Sequence, residues 1–442
     1  MQLDSQVLEH SLSRLNIKAL NEMQLATLEQ SRMHQELLLL SATGSGKTLA
    51  FLLPLWEKLQ PESKEVQAIV IVPSRELAIQ IDDVLRKLTT GYKVTLCYGG
   101  HKREIEENNL IQAPAIIIGT PGRLCDHIRR QNFDPKTIHS MVLDEFDKSL
   151  ELGFEEEMKF LVESLPNANF KMLTSATEAV VLPDYLPLPS LQRLNYTLGD
   201  KPSEEKVSYF TVLSEDKDKV EALVQLLCQI GSRPTIIFCN HRDAVERVHT
   251  LLHDKGIYSV FYHGGMEQYE RDAAMCKFRN GTSLILVTTD LASRGLDIAH
   301  IRHIIHYHLP QDEATFTHRN GRTARMENTG NVYVIHHEEE LLPAYITTLS
   351  QVYHSDKASV LPEKPVWATL FIDAGKKDKI NKIDIVGFLS QKGELKKEDI
   401  GLIEVKDFSS FVAIRKSKMS FTLNKIQHER IKNKKVKMFV AK

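Results

Sequence analysis

Over most of its length the chain alternates short apolar runs with amphipathic stretches. Leu-Leu-Leu-Leu at 37–40, Ala-Ile-Val-Ile-Val at 68–72, Ala-Ile-Ile-Ile at 115–118 and Met-Val-Leu at 141–143 leave no polar position to face water. They predict strands buried on both faces of a parallel sheet. Two more strands are expected at 94–98 and 171–173. The stretches between predict helices, as with Leu49, Phe51, Leu52 and Leu55, and residues 1–36 read as helical from Val7, Leu8, Leu12 and Leu15. Strand and helix in alternation build βαβ units and an open parallel sheet. A polar stretch at 195–206, with Gly199, Pro202 and Ser203, reads as a linker. A second alternation follows, with strands at 235–238, 260–262, 284–287 and 303–307 and a helix carrying 318–325. After a charged, proline-containing stretch at 356–365, the order becomes strand, helix, strand, strand, helix, strand (368–372, 382–389, 401–405, 411–414, 420–428, 436–440), which is ferredoxin-like. The expected organisation is α/β: a domain at 1–197, a linker at 198–206, a second domain at 207–356, a linker at 357–365 and a small α+β domain at 366–442.

Polar clusters follow the strands, and open parallel sheets bind ligands at the carboxyl ends of their strands. After the first strand comes Ser41-Ala42-Thr43-Gly44-Ser45-Gly46-Lys47-Thr48. A strand, a glycine-rich turn and a helix form a phosphate cradle: Gly44 and Gly46 let the backbone approach, Lys47 reaches the β- and γ-phosphates, and Thr48 can ligate Mg²⁺. Ser41 stands where the strict pattern has glycine. Asp144, at the end of an apolar strand, is the expected second anchor for Mg²⁺, and Glu145 is placed to orient or deprotonate an attacking water. Arg322 and Arg325, three apart on the expected helix, would share one face and meet the γ-phosphate. Gly99-Gly100, Thr120-Pro121-Gly122-Arg123 and His263-Gly264-Gly265 offer backbone N–H groups, hydroxyls and cations suited to a sugar–phosphate chain, although each alone would read as a turn.

Composition excludes little. The chain has 442 residues, 42% hydrophobic and 26% charged, as in ordinary globular domains. No apolar run approaches membrane-spanning length, and residues 1–13 lack a secretory h-region, so a cytoplasmic protein with no membrane partner is expected. The five cysteines form no C-x-x-C pair, which favours reduced thiols over a disulfide framework or zinc site. Charge is more informative. Residues 366–442 hold 18 Lys+Arg against 9 Asp+Glu, a net of +9, and the remainder carries −11. A basic tail on an acidic body suits a polyanion partner, with a solvated basic surface as the alternative.

In order and spacing these clusters resemble the motifs of DEAD-box RNA helicases over roughly residues 15–350: 43–48, Pro73-Ser74-Arg75-Glu76-Leu77-Ala78, Gly99-Gly100, 120–123, Asp144-Glu145-Phe146-Asp147, Ser175-Ala176-Thr177, 289–297 and 318–325. The resemblance implies two RecA-like domains that close over ATP and single-stranded RNA and pry short duplexes apart. It implies that Gln24 reads adenine, that Thr43, Gly44, Ser45, Gly46, Lys47 and Thr48 hold the nucleotide, and that Asp297 touches the ribose. It further implies that Asp144 and Glu145 are catalytic with Lys47, Arg322 and Arg325, and that Asp147, Ser175, Thr177 and His318 couple hydrolysis to strand separation. Arg75 and Arg294 join the RNA-binding set. The tail, through Gly375-Lys376-Lys377-Asp378-Lys379-Ile380, Ile383-Asp384-Ile385-Val386-Gly387 and Asp399-Ile400-Gly401, is similar to the C-terminal domain of the DbpA group. This implies recognition of a 23S-type ribosomal RNA hairpin on pre-50S particles, by a monomer, with Lys376, Lys377, Phe411 and Arg415 contacting RNA. The cold-shock group with a related tail is longer.

Three departures stand out. Phe146 replaces the family's alanine in the Asp-Glu-x-Asp box. Leu20 stands where the adenine-reading motif has proline. In the tail, Ser409 and Ile414 occupy positions that are aromatic in RNA-stacking sheets, so cations are expected to matter more there than stacking. An RNA clamp with little turnover and a DNA helicase are the competing functions. Glu145→Gln discriminates the first, and exchange of RNA for DNA of the same sequence the second.

Overall fold

The computed structural model describes residues 5–41, 44–88, 90–100, 102–176, 182–197, 207–290, 301–323, 329–347, 350–353 and 360–441. The chain divides into two compact units. The first is built on seven parallel strands: β1 (Glu36–Ser41), β2 (Ala68–Ile71), β3 (Val94–Cys97), β4 (Ile116–Gly119), β5 (Ser140–Leu143), β6 (Phe170–Ser175) and β7 (Gln192–Tyr196). Their spatial order is β3-β4-β2-β5-β6-β1-β7. The apolar runs lie at the centre, where every residue of β2, β4 and β5 is buried. Two apolar layers flank the sheet. Leu37, Leu39, Val70 and Ile118 face one, with the helix Lys47–Lys58, and Leu38, Leu40, Ile71 and Ile117 face the other. Alternation of side chains across a strand produces this division.

The second unit begins with another parallel sheet: β8 (Val207–Ser214), β9 (Thr235–Phe238), β10 (Val260–Tyr262), β11 (Ile285–Thr288), β12 (His303–His306), β13 (Gly330–His337) and β14 (Gln351–Val352). Its order is β10-β11-β9-β12-β13-β8-β14. The apolar pattern predicts this sheet only from 235 onward and does not mark β8, β13 or β14. β8 carries serines and threonine among its apolar residues and β13 carries asparagine and histidines, so neither is a clean apolar run. The helix expected at 318–325 instead spans Glu313–Asn320 and ends at Gly321. The chain then turns into a bridge between Ile301 and Thr323. Arg322 therefore lies beyond the helix, which corrects the shared-face argument for Arg322 and Arg325.

The tail, in the same unit, has β15 (Trp367–Ile372), β16 (Ile400–Val405), β17 (Ser410–Arg415), a small hairpin of β18 (Arg430–Ile431) and β19 (Lys434–Lys435), and β20 (Met438–Val440). The antiparallel order β16-β17-β15-β20, with helices Lys382–Gln391 and Lys416–Ile426, is the expected β-α-β-β-α-β arrangement. One sheet face and the two helices enclose a core of Leu370, Ile385, Val412 and Ile414 among others. The other face packs on the helix Gln268–Arg279. There Phe371, Phe411 and Ala441 cluster with Ala273 and Cys276, and the Tyr269 ring lies edge-on to Phe371 at 5.1 Å. Polar contacts rim the patch. Asn280 Nδ2 donates to Thr369 Oγ1 at 2.9 Å, and Arg279 pairs with Glu404 at 3.1 Å. No described helix is long and apolar enough to cross a membrane.

Candidate functional site

In the first unit, the sheet order sorts the post-strand clusters along one edge. The loops after β5, β6 and β1 are neighbours, and those after β3, β4 and β2 occupy the other half.

The β1 loop has Gly44 at φ 88° and Gly46 at φ 95°, left-handed values that glycine adopts without strain. A Cβ on Gly46 would also lie 2.5 Å from Gln24 Nε2. Gln24 is buried, and its amide donates to Gly46 O at 3.2 Å and accepts from Asn21 N at 3.0 Å. Asn21 Nδ2 in turn donates to Ser45 O at 3.0 Å. The residue expected to read adenine is thus fastened to the glycine turn. Ser41, the departure from the glycine pattern, is fully buried, and its hydroxyl bonds that of Ser45. Thr43 lies outside the described residues.

Lys47 opens the helix, is 8% exposed, and its buried Nζ has no hydrogen-bond partner among the described residues. An ammonium held this way is costly unless an anion completes it. Nearby Asp144 is 3% exposed. Burial raises its pKa, against the opposing pull of Lys47 and the Thr174 hydroxyl. Its Oδ1 accepts from Thr174 Oγ1 at 2.5 Å, and the same Oγ1 accepts from Glu145 N at 3.1 Å. Glu145 sits at φ 48°, a left-handed position costly for a residue with a side chain. Thr174 therefore holds both members of the acidic pair, a role the sequence reading missed. No local sequence signal marks it: the parallel register of β5 on β6, Leu143 opposite Leu173, sets Thr174 beside Asp144. Phe146 is fully buried in the apolar layer with Leu124, Leu143 and Leu173, so the departure from alanine is absorbed by packing. Ser175, also fully buried, ends β6, and Asp147 lies in the first turn of the helix after β5. Thr177 is outside the described residues. A glycine cradle, a buried ammonium with no hydrogen-bond partner among the described residues and a desolvated carboxylate fit a triphosphate with its divalent cation, which Thr48 and Asp144 would hold.

On the other half of the edge, Gly99 and Gly100 are exposed after β3. Thr120 stands at the N-cap position of the helix Pro121–Arg129 without a side-chain capping bond, Pro121 lies in the first turn, and a Cβ on Gly122 would meet nothing within 4 Å. Arg75 stands over the Tyr98 ring at 4.9 Å. Arg123 Nη1 bonds Glu106 at 2.8 Å.

In the second unit, Arg319 is fully buried and bidentate to Asp290 at 2.6 and 2.9 Å, with a further bond to Asn240. It orders the ends of β9, β11 and β12, and the sequence reading did not single it out. His318 and Arg322 are buried beside it in the chain, 7% and 3% exposed. His263 accepts from Gly265 N at 3.1 Å, so it shapes its own turn, with Gly264 at the tip. Arg294, Asp297 and Arg325 lie outside the described residues.

In the tail, Lys376 and Lys377 are exposed on a 3-10 turn. That turn needs Gly375, because a Cβ there would lie 2.2 Å from Lys406 O. Arg415 stacks on Trp367 at 4.6 Å. Phe411 corrects an expectation. At 1% exposed, between Phe371 and Tyr269, its ring is covered by the helix Gln268–Arg279 and does not face solvent where a base could stack.

Comparison with known proteins agrees with this layout. Residues 21–182 match the DEAD/DEAH box helicase family, 218–327 the helicase conserved C-terminal domain and 369–439 the DbpA RNA binding domain. The chain is 30% identical over 452 aligned residues to the ATP-dependent RNA helicase DbpA of Escherichia coli K12, covering 98% of this chain and 96% of that one. It is 29% identical to the DbpA of Bacillus subtilis 168, with 91% of each covered. Among solved structures, S. cerevisiae Dbp5 bound to RNA and ADP BeF3 matches with TM-score 0.67 and 27% identity, over 76% of this chain and 88% of that one. With a phosphate cradle and an acidic pair on one edge, and a basic RNA-binding tail of the matched type, the chain belongs to the DEAD-box ATP-dependent RNA helicases.

Proposed function

We propose that this helicase remodels large-subunit ribosomal RNA during ribosome assembly, guided to a 23S-type hairpin on pre-50S particles by its tail, as a cytoplasmic monomer. The ATP site is assigned to Gln24, Thr43–Thr48 and Asp297. Lys47 serves the phosphates, Thr48 and Asp144 a Mg²⁺ ion, and Glu145 the attacking water. Arg322 and Arg325 are assigned to the γ-phosphate, and Asp147, Ser175, Thr177 and His318 to coupling. The bound ion would neutralise phosphate charge. Arg75, Gly99-Gly100, 120–123, 263–265 and Arg294 are assigned to the RNA backbone, and Lys376, Lys377 and Arg415 to the hairpin. The observation that carries the ATP assignment is the buried ammonium of Lys47, which follows the glycine turn and has no hydrogen-bond partner among the described residues. For the RNA target, support comes from the match of 369–439 to the DbpA RNA binding domain and from the +9 charge of 366–442.

The test is ATP hydrolysis by the full chain without RNA, with a ribosomal fragment containing the peptidyl-transferase hairpins, and with unrelated RNA or DNA of equal length. Stimulation by the ribosomal fragment alone is expected. Equal stimulation by both RNAs would reduce the tail to a general RNA anchor, and equal stimulation by DNA would remove RNA specificity. No hydrolysis under any condition would leave an RNA clamp.

A further inference from the structure

A buried acid lies among the segments after β2, β3 and β4 in the first unit. Glu106, on the helix Arg103–Leu110, is 1% exposed. Its Oε1 accepts from Tyr98 N at 2.9 Å, and its Oε2 from Arg123 Nη1 at 2.8 Å and His127 Nε2 at 2.7 Å. A carboxylate only accepts, so His127 donates through Nε2. Tyr98 immediately precedes Gly99-Gly100, and its ring carries the Arg75 guanidinium at 4.9 Å. One carboxylate thus joins, directly or through one residue, three segments far apart in sequence: Arg75 after β2, the turn after β3 and Arg123 after β4.

Cys97, Glu106 and His127 also lie close enough to suggest a metal centre, their ligand atoms within 4.8 Å of one another. The chemistry argues against it. Oε2 is already committed to a guanidinium and an imidazole, which a divalent ion would have to displace. Burial, reinforced by Glu106, raises the Cys97 pKa well above the ordinary thiol range.

We propose that Glu106, acting with Tyr98, is a positioning residue for the RNA grip: it fixes Arg75, Gly99-Gly100 and Arg123 as one preorganised surface. This rests on the reading that those segments hold the RNA backbone. Preorganisation matters because loops ordered only on binding lose affinity to the entropy of ordering. Electrostatics gives the proposal its direction. A carboxylate near phosphates is repulsive, so removing its charge alone would tighten RNA binding. If Glu106 positions, the same change weakens it.

Glu106→Gln leaves an acceptor for Tyr98 N but turns an N–H₂ toward Arg123. Tyr98→Leu removes the ring under Arg75 and leaves the backbone bond intact. For each variant, the RNA concentration for half-maximal ATPase should rise about tenfold, the scale of a lost charge-assisted contact. Turnover at saturating RNA should stay within about twofold, because a positioning loss falls on binding. Nucleotide affinity without RNA should be unchanged. In an Arg123→Ala background, Glu106→Gln should cost little more, since its effect runs through that guanidinium. Unchanged or tighter RNA binding by Glu106→Gln would overturn the proposal, as would a parallel loss of nucleotide affinity and melting temperature with additive behaviour in the cycle. If Glu106→Gln does not fold, Tyr98→Leu decides. Should Arg123→Ala itself leave RNA affinity unchanged, the RNA assignment of this edge fails, an outcome distinct from failure of the positioning role.

Discussion

Thr174→Val probes the proposed ATP site most directly. The substitution keeps the branched shape and deletes one oxygen, which accepts from Glu145 N and donates to Asp144 Oδ1. A buried hydrogen bond to a charged group contributes about 1.5–3 kcal/mol and a neutral one about 1 kcal/mol. Together they give about 2–4 kcal/mol, less whatever water recovers at half-buried Glu145. Part should appear as stability, a fall of roughly 5–10 °C in the melting of the first unit. The rest should appear in turnover. Glu145 is held at φ 48°, and release of its N–H lets that backbone relax away from the geometry that aims its carboxylate. RNA-stimulated kcat is therefore expected to fall at least about tenfold, with a smaller change in KM for ATP. There is also a pH signature. Burial already raises the Asp144 pKa, and the hydroxyl opposes it by favouring the anion. Loss of the hydroxyl moves the pKa further up, so the acid limb of the rate profile should shift to higher pH. Thr174→Ser should restore both properties. A valine variant with kcat within about twofold of the parent and an unshifted acid limb would refute the bridging role.

Other perturbations follow from the same contacts. Asp144→Asn should abolish hydrolysis yet raise the melting temperature of the nucleotide-free protein by about 2–4 °C, the effect of about 1 kcal/mol in a unit this size. The raised folded pKa means the ionised form loses stability as pH rises through that value, and unchanged or lower melting at pH 7 would contradict this. Gly46→Ala should weaken ATP binding at least about tenfold and destabilise the loop, because the new methyl combines a φ of 95° with a 2.5 Å approach to Gln24; near-normal affinity by nucleotide titration would count against the packed loop. Tyr269→Ala should loosen the tail from its helix by about 1 kcal/mol, read as increased hydrogen exchange in β15 and β17. The same interface should respond to acid. Burial raises the Glu404 pKa, but Lys406 and Arg279 more than offset this and hold it below the ordinary value. Its contribution is therefore full above about pH 4.3 and lost as pH falls through the lower folded value. Release of the tail between pH 5 and 7 would contradict this, as seen by scanning calorimetry.

Local sequence carried the parallel strands of the first unit, the glycine turn, the acidic pair and the β-α-β-β-α-β order of the tail. These depend on periodicity, chain conformation and residue chemistry within a few positions of one another. It also indicated which loops would gather at strand ends. It did not determine which of those loops are neighbours. The order β3-β4-β2-β5-β6-β1-β7 arises from crossovers whose lengths do not encode their destinations, and it separates the half of the edge bearing the glycine turn and the acidic pair from the half bearing Arg75, Gly99 and Arg123. Thr174 and Glu106 were silent for the same reason. A threonine in a strand and a glutamate on a helix acquire a role only when register or packing brings Asp144 or Arg123 to them. The early end of the helix at Asn320 was set by the bridge from Thr323 to Ile301, a contact 22 positions away. Phe411 shows the same limit: its strand and face were legible, but whether that face meets a base or another helix depends on what packs against it, and Tyr269 does.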